Sequence, residues 1–172
     1  MAKKKSSSTA LPGVFALMTL LLGVLGVVLM CTIELIGFGV QFGNSKLDPI
    51  MIVGKDVIFG SKSQYGDLGS VKSTPLAVAS WALLLAGAVI ALLALILAIL
   101  KNRKLTKLML VVAGLLLIVG GAMVFAIPQN FFTNNNLDKL GLFYVSMGTG
   151  GWLGGIFGIV GGLLGLGGAI VK

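Results

Sequence analysis

Four stretches of this chain stay apolar for the length of a lipid bilayer: Leu11–Ile33, Pro75–Leu100, Leu108–Ile127 and a last run ending at Val171. The first three hold 23, 26 and 20 residues, and the fourth is long enough with room to spare. A hydrocarbon core about 30 Å thick needs roughly 20 apolar residues per helix. Backbone amides have no water to bond there, so each run must satisfy its own hydrogen bonds as a helix. Composition leaves no other solvent: 57% of the residues are hydrophobic and 10% charged, against about 25% charged in an ordinary soluble protein. The expected fold is an all-α integral membrane protein, four transmembrane helices in an antiparallel bundle, with a small β-prone outer loop.

The charges then fix an orientation. With the N-terminus inside, Lys3, Lys4, Lys5, Lys101, Arg103, Lys104, Lys107 and Lys172 fall on the inner face. All five acids, Glu34, Asp48, Asp56, Asp67 and Asp138, fall on the outer face, matched by Lys46, Lys55, Lys62, Lys72 and Lys139. The formal charge of +8 therefore sits on one side. Cations flanking short loops are retained in the cytoplasm, which predicts a multi-pass protein with both termini inside. The chain divides into a cytoplasmic tail (1–10), a first span (11–33), an outer loop (34–74), a second span (75–100), a cytoplasmic loop (101–107) and a third span (108–127), followed by a second outer loop entering the fourth span (128–150) and the fourth span with the C-terminus (151–172). Phe38, Phe42, Trp81, Phe125, Phe131, Phe132, Phe143, Tyr144 and Trp152 gather near the outer ends of the spans, at the headgroup level that aromatic rings prefer.

Cys31 is the single cysteine, so the outer loops carry no disulfide, and no Asn-x-Ser/Thr site occurs. Both features lean toward a bacterial plasma membrane. The first span is too long for a removable signal, and no Ala-x-Ala site follows it. No stretch alternates basic and aromatic residues, so the basic pI points to the anionic inner leaflet rather than to nucleic acid.

The sharpest local pattern lies in the fourth span. Gly151, Gly154, Gly155, Gly158, Gly161, Gly162, Gly165 and Gly168 follow a seven-residue repeat, with bulky residues such as Trp152, Ile156, Ile159 and Leu163 opposite. Lipid tails are as apolar as side chains, so helices associate in a bilayer by packing, and small residues let backbones approach. These glycines are the expected helix-packing interface, either within the chain or with another subunit. The alanine-rich second span, with Ala82, Ala86, Ala94 and Ala98, is the expected neighbour. A phosphate-cradling loop is not expected, because such loops join a strand to a helix.

Apolar character continues weakly past the first span through Leu35–Phe38; if the first helix runs on to about Phe42, Glu34 lies at the outer hydrocarbon boundary, and the favoured reading of Glu34 is an interfacial carboxylate in water. Further on, Pro49–Val53 and Val57–Phe59 are β-prone, and Gly54-Lys55-Asp56 supplies turn residues; the two read as a hairpin. Ile50, Ile52, Val57 and Phe59 are its candidate contact surface. Ser61–Ser73 reads as a polar connection, and Pro128 is expected to end the third helix.

Catalytic groups are scarce. The chain has no His, and one Cys cannot build a zinc site, so no metal or cofactor is expected. No ionisable residue lies at the centre of any span, where relays and ion-coupled carriers hold theirs. The expected function is non-catalytic association in the membrane, as an accessory subunit, assembly factor or scaffold that contacts itself or another membrane protein. The alternative is an oligomeric pore or permease, holin-like or a small channel, lined by the glycine face. A larger first outer loop and a smaller second one give a topology similar to that of claudin-type tetraspan proteins. The Trp, Gly-Leu-Trp and paired cysteines of that family's first loop are absent between Glu34 and Thr74, and no family is assigned.

Overall fold

The computed structural model describes residues 10–43, 45–62, 70–137 and 142–171. The lysines of the N-terminal tail, most of the Ser61–Ser73 connection, Asp138, Lys139 and Lys172 lie outside the described residues.

Each apolar run forms one long helix: α1 (Ala10–Thr32), α3 (Pro75–Ile99), α4 (Arg103–Val124) and α6 (Thr149–Ile170). Two short helices, α2 (Gly54–Phe59) and α5 (Ile127–Asn134), lie between them, with four strands, β1 (Glu34–Phe42), β2 (Ser45–Lys46), β3 (Ile50–Val53) and β4 (Phe143–Met147). All four long helices are long and apolar enough to cross a membrane. They close into a ring in which α1 packs on α3, α3 on α4, α4 on α6, and α6 back on α1, every neighbour antiparallel. Each turns an apolar face outward as well as inward. Val14, Leu21 and Val28 of α1, and Val89 and Leu93 of α3, are exposed. In water such a surface would aggregate; against acyl chains it is solvated.

Local chemistry sets the helix ends. Pro75 starts α3 in its first turn, where a missing N–H removes no bond. At the far end the chain reverses in a tight turn, with Lys101 in the left-handed region at φ 58°. Asn102 caps α4 by accepting from the Leu105 amide at 3.3 Å. The connection is therefore only Leu100–Asn102, and Arg103, Lys104 and Lys107 already belong to the first turns of α4. The helix dipole disfavours cations there, so their placement answers to something other than helix stability.

At the opposite end the strands build a cap. β1 is its spine, pairing antiparallel with β3 and β2 on one edge and β4 on the other. Three expectations are corrected here. The first helix does not run on to Phe42: α1 stops at Thr32, and Glu34–Phe42 is a strand. Gly37 and Gly39 weaken any helix through this stretch, while Ile36, Phe38 and Val40 alternate with them on one sheet face. The expected hairpin between Pro49–Val53 and Val57–Phe59 does not form. β3 pairs with β1 instead, at Ile36↔Ile52 and Phe38↔Ile50, and the second half of that hairpin is the helix α2. Gly54, Val57 and Ile58 are buried together, a three-four spacing that only a helix places on one side. Finally, Pro128 starts a helix rather than simply ending one. α4 ends at Val124, Phe125 and Ala126 turn, and Pro128 lies in the first turn of α5.

The core spans this junction. Met30, Leu35, Ile36, Ile52, Ile58, Leu84, Leu117, Ile127 and Phe131 form one buried cluster joining the bundle's end to the cap. A smaller cluster of Ala16, Ala94 and Leu110 closes the other end.

Candidate functional site

Two features stand out: the glycine face of α6 and the β-sheet cap. Gly151, Gly154, Gly155, Gly158, Gly161, Gly162, Gly165 and Gly168 are all buried. They divide between two neighbours. Gly154 and Gly161 meet α1: a Cβ on Gly154 would lie 3.2 Å from the Gly26 carbonyl oxygen, and one on Gly161 3.0 Å from Leu22 Cβ. Gly168, seven residues further on, lies against Phe15 of the same helix. Gly155, Gly158, Gly162 and Gly165 meet α4, where a Cβ on Gly162 would sit 2.5 Å from the Gly114 carbonyl oxygen and one on Gly158 3.0 Å from Gly121 Cα. Gly151 abuts Met147 and the Leu35 carbonyl at the cap. At Gly26–Gly154, Gly114–Gly162 and Gly121–Gly158 the backbones of α1 and α4 thus come directly against that of α6.

The expected neighbour was the second span, α3. The glycines instead face α1 and α4, and only Gly158 reaches α3, at Leu84. The helix α3 uses a different small face, Ala77, Ser80, Gly87, Ala88, Ala91 and Ala94. Of the expected alanines only Ala94 is fully buried, and Ala82 is exposed. Ser80 donates to the Gly120 carbonyl of α4 at 2.8 Å. The partner glycines Gly26, Gly114 and Gly121 were missed by reading α6 alone. Gly114 and Gly121 are seven residues apart, the same period as in α6, and that spacing was the available signal.

The cap is seated on the bundle by two more close approaches. A side chain on Gly54 would occupy the position of the Met30 carbonyl, and one on Gly148 would strike that of Glu34. The Gly54 amide donates to Ile33 at 3.0 Å, and Gly148 to Leu35 at 2.8 Å. On one sheet face Tyr144 lies over Gly39, its cross-strand partner, and its hydroxyl donates to the Leu47 carbonyl at 2.6 Å. Lys46 holds its ammonium 5.0 Å from the centre of the same ring.

The other face carries Ile36, Phe38, Val40, Ile50, Ile52, Phe143, Val145 and Met147. Near the bundle these side chains join the buried cluster. Toward the tip of β1 the cover runs out, and the face opens into a groove of about 410 Å³ lined by Phe38, Gly39, Val40, Phe42, Leu47, Asp48, Ile50, Leu142 and Phe143. Its floor is the tilted pair Phe38–Phe143, with ring centres 5.1 Å apart. Phe42 and Leu47 on its walls are 59% and 58% exposed.

Of the four contact residues singled out in the sequence, Ile50 lies in this groove, while Ile52 and Val57 are fully buried within the cap. Phe59 is 60% exposed, but on another side of the cap, edge-on to Trp81. The sequence reading did not place Phe42, Leu47, Leu142 and Phe143 in this surface: the pairing of β1 with β2 and β3 brings Phe42 and Leu47 beside Ile50, and that of β1 with β4 brings Leu142 and Phe143. Among the described residues no cluster of three His, Cys, Asp or Glu side chains could hold a metal ion. No protein-family model matches the chain, and no curated protein matches it either.

Proposed function

We propose that this four-span membrane protein acts by association: it anchors in the bilayer through the helix bundle and offers the β-sheet cap to a partner on the outer side. The observation that carries this reading is the division of surfaces. The bundle's inner faces are consumed by close contacts of α6 with α1 and α4, and its outer faces are apolar but for the cations in the first turns of α4. The cap, by contrast, presents exposed apolar side chains at its tip, where no acyl chain is needed to explain the bundle. Accessory subunit, assembly factor and scaffold all fit this description. Catalysis is not part of the proposal.

Orientation is inferred from charge. Lys101, Arg103, Lys104 and Lys107 lie at the end opposite the cap, and Glu34, Asp48 and Asp56 lie at the cap end. Cations held inside put the cap on the outer face of a plasma membrane. A pore through a single chain is disfavoured by the Gly114–Gly162 and Gly121–Gly158 approaches, which close the bundle between α4 and α6.

The test is purification in mild detergent after crosslinking in intact membranes, followed by mass spectrometry. A reproducible crosslink from Lys46, Lys55 or Lys72 to a second protein, or to a second copy, is the expected result. Proteoliposomes that leak small dyes, and stop leaking with Gly158→Leu, would contradict it in favour of a pore.

A further inference from the structure

We propose that the cap groove is a docking site for a short apolar peptide segment of another protein, one that carries a lysine or arginine beside its apolar side chains; this rests on the association reading above. The groove's volume, about 410 Å³, falls in the range of ligand sites, roughly 300–1,000 Å³. Its walls are aromatic and aliphatic, and the one charged residue among them is Asp48. Asp48 is exposed, and no ion-pair partner for it occurs among the described residues. The cation nearest in sequence, Lys46, sits over the Tyr144 ring. A carboxylate bordering an apolar wall selects a cation next to apolar groups and rejects an anion there.

Size and place decide between occupants. A stable pair of copies needs about 800 Å² and some 20–30 residues from each partner. Nine residues line this groove, which suits a short segment better than a second copy's whole face. Phe38 and Phe42 lie four and eight residues beyond Glu34, on the order of 13 and 26 Å along the strand from the end of α1. The site is also preformed: the β1–β4 ladder holds its floor, and the Tyr144–Leu47 hydrogen bond holds one wall. A preformed site spends less of its contact energy on ordering.

The test uses the full-length protein in nanodiscs, panned with a random dodecapeptide library displayed on phage, with empty nanodiscs as the counter-selection. Enriched peptides should set a Lys or Arg within a few positions of Phe, Trp or Leu. The strongest, made synthetically, should lose at least tenfold in affinity against Ile50→Lys and against Asp48→Lys. Panning on Asp48→Lys should enrich acidic peptides instead. Both positions are exposed, and monodisperse elution with an unchanged helical signal checks that each variant folds. The proposal is overturned by enriched peptides without a basic residue, by wild-type affinity for either variant, or by no enrichment over empty nanodiscs. A crosslinked partner that persists in both variants would overturn the groove while leaving association intact. A wild-type protein with no crosslinked partner and no self-pair would end the association reading itself.

Discussion

A methyl group is the natural probe of the residue scale, because glycines of the same helix, α6, meet such different surroundings. At Gly162 a Cβ would press on the Gly114 carbonyl and the Ile118 amide, backbone atoms that cannot rotate aside. Gly162→Ala should destabilise the folded protein by about 1–3 kcal/mol, the usual range for overpacking. At Gly167 the nearest atom would be Phe15 Cε1, at 3.7 Å. Gly167→Ala should be neutral or stabilising by about 0.5–1 kcal/mol, through helix propensity alone. Unfolding titrations in SDS, followed by far-UV circular dichroism, separate the two. Ser80→Ala removes the hydrogen bond between α3 and α4; the expected loss is about 0.5–1 kcal/mol, because interhelical hydrogen bonds in membranes contribute modestly. A loss above about 3 kcal/mol in that titration would mean Ser80 does more than bridge two helices.

At the scale of elements, the cap depends on two glycines that let its ends touch the bundle. Gly54→Val should lift α2 from the end of α1, since the added side chain would take the place of the Met30 carbonyl. Hydrogen exchange should then rise across α2 and β3 while α4 and α6 stay protected. Uniform protection in the variant would show that the contact can be remade elsewhere. This junction also marks how far the sequence could be read. Hydrocarbon-length apolar runs identify α1, α3 and α6 to within about two residues, because the bilayer leaves a backbone no choice but helix, while α4 starts five residues before its apolar run, within the cationic segment. Beyond the lipid that constraint lapses. Val57, Ile58 and Phe59 have β-prone side chains, and β-propensity largely reports packing context; here the context is the end of α1, and the segment is helical. β1 was equally open. Its alternation of Gly37 and Gly39 with Ile36, Phe38 and Val40 is the mark of a strand, but its partner β4 lies more than a hundred residues away. No local pattern announces that pairing, and the groove exists only because of it. Likewise the period of the α6 glycines was plain, whereas the identity of the helices across from them depends on the ring order of the bundle.

For the whole molecule the decisive quantity is the sidedness of charge. Arg103 and Lys104 lie in the first turn of α4, where each cation is unfavourable by about 0.3–1 kcal/mol near the surface. Their retention at that cost makes sense if they hold the Leu100–Asn102 turn in the cytoplasm. Replacing Lys101, Arg103, Lys104 and Lys107 together by Gln should therefore leave the helices intact but yield molecules of mixed orientation. The most direct check on the account is accessibility labelling of single cysteines placed at Lys55 and at Asn102, in a Cys31→Ser background. With a membrane-impermeant maleimide on intact cells, the cysteine at position 55 should react and the one at 102 should react only after the membrane is opened. The reverse pattern would put the cap and its groove in the cytoplasm, and labelling of both sites from outside would contradict a four-span chain altogether.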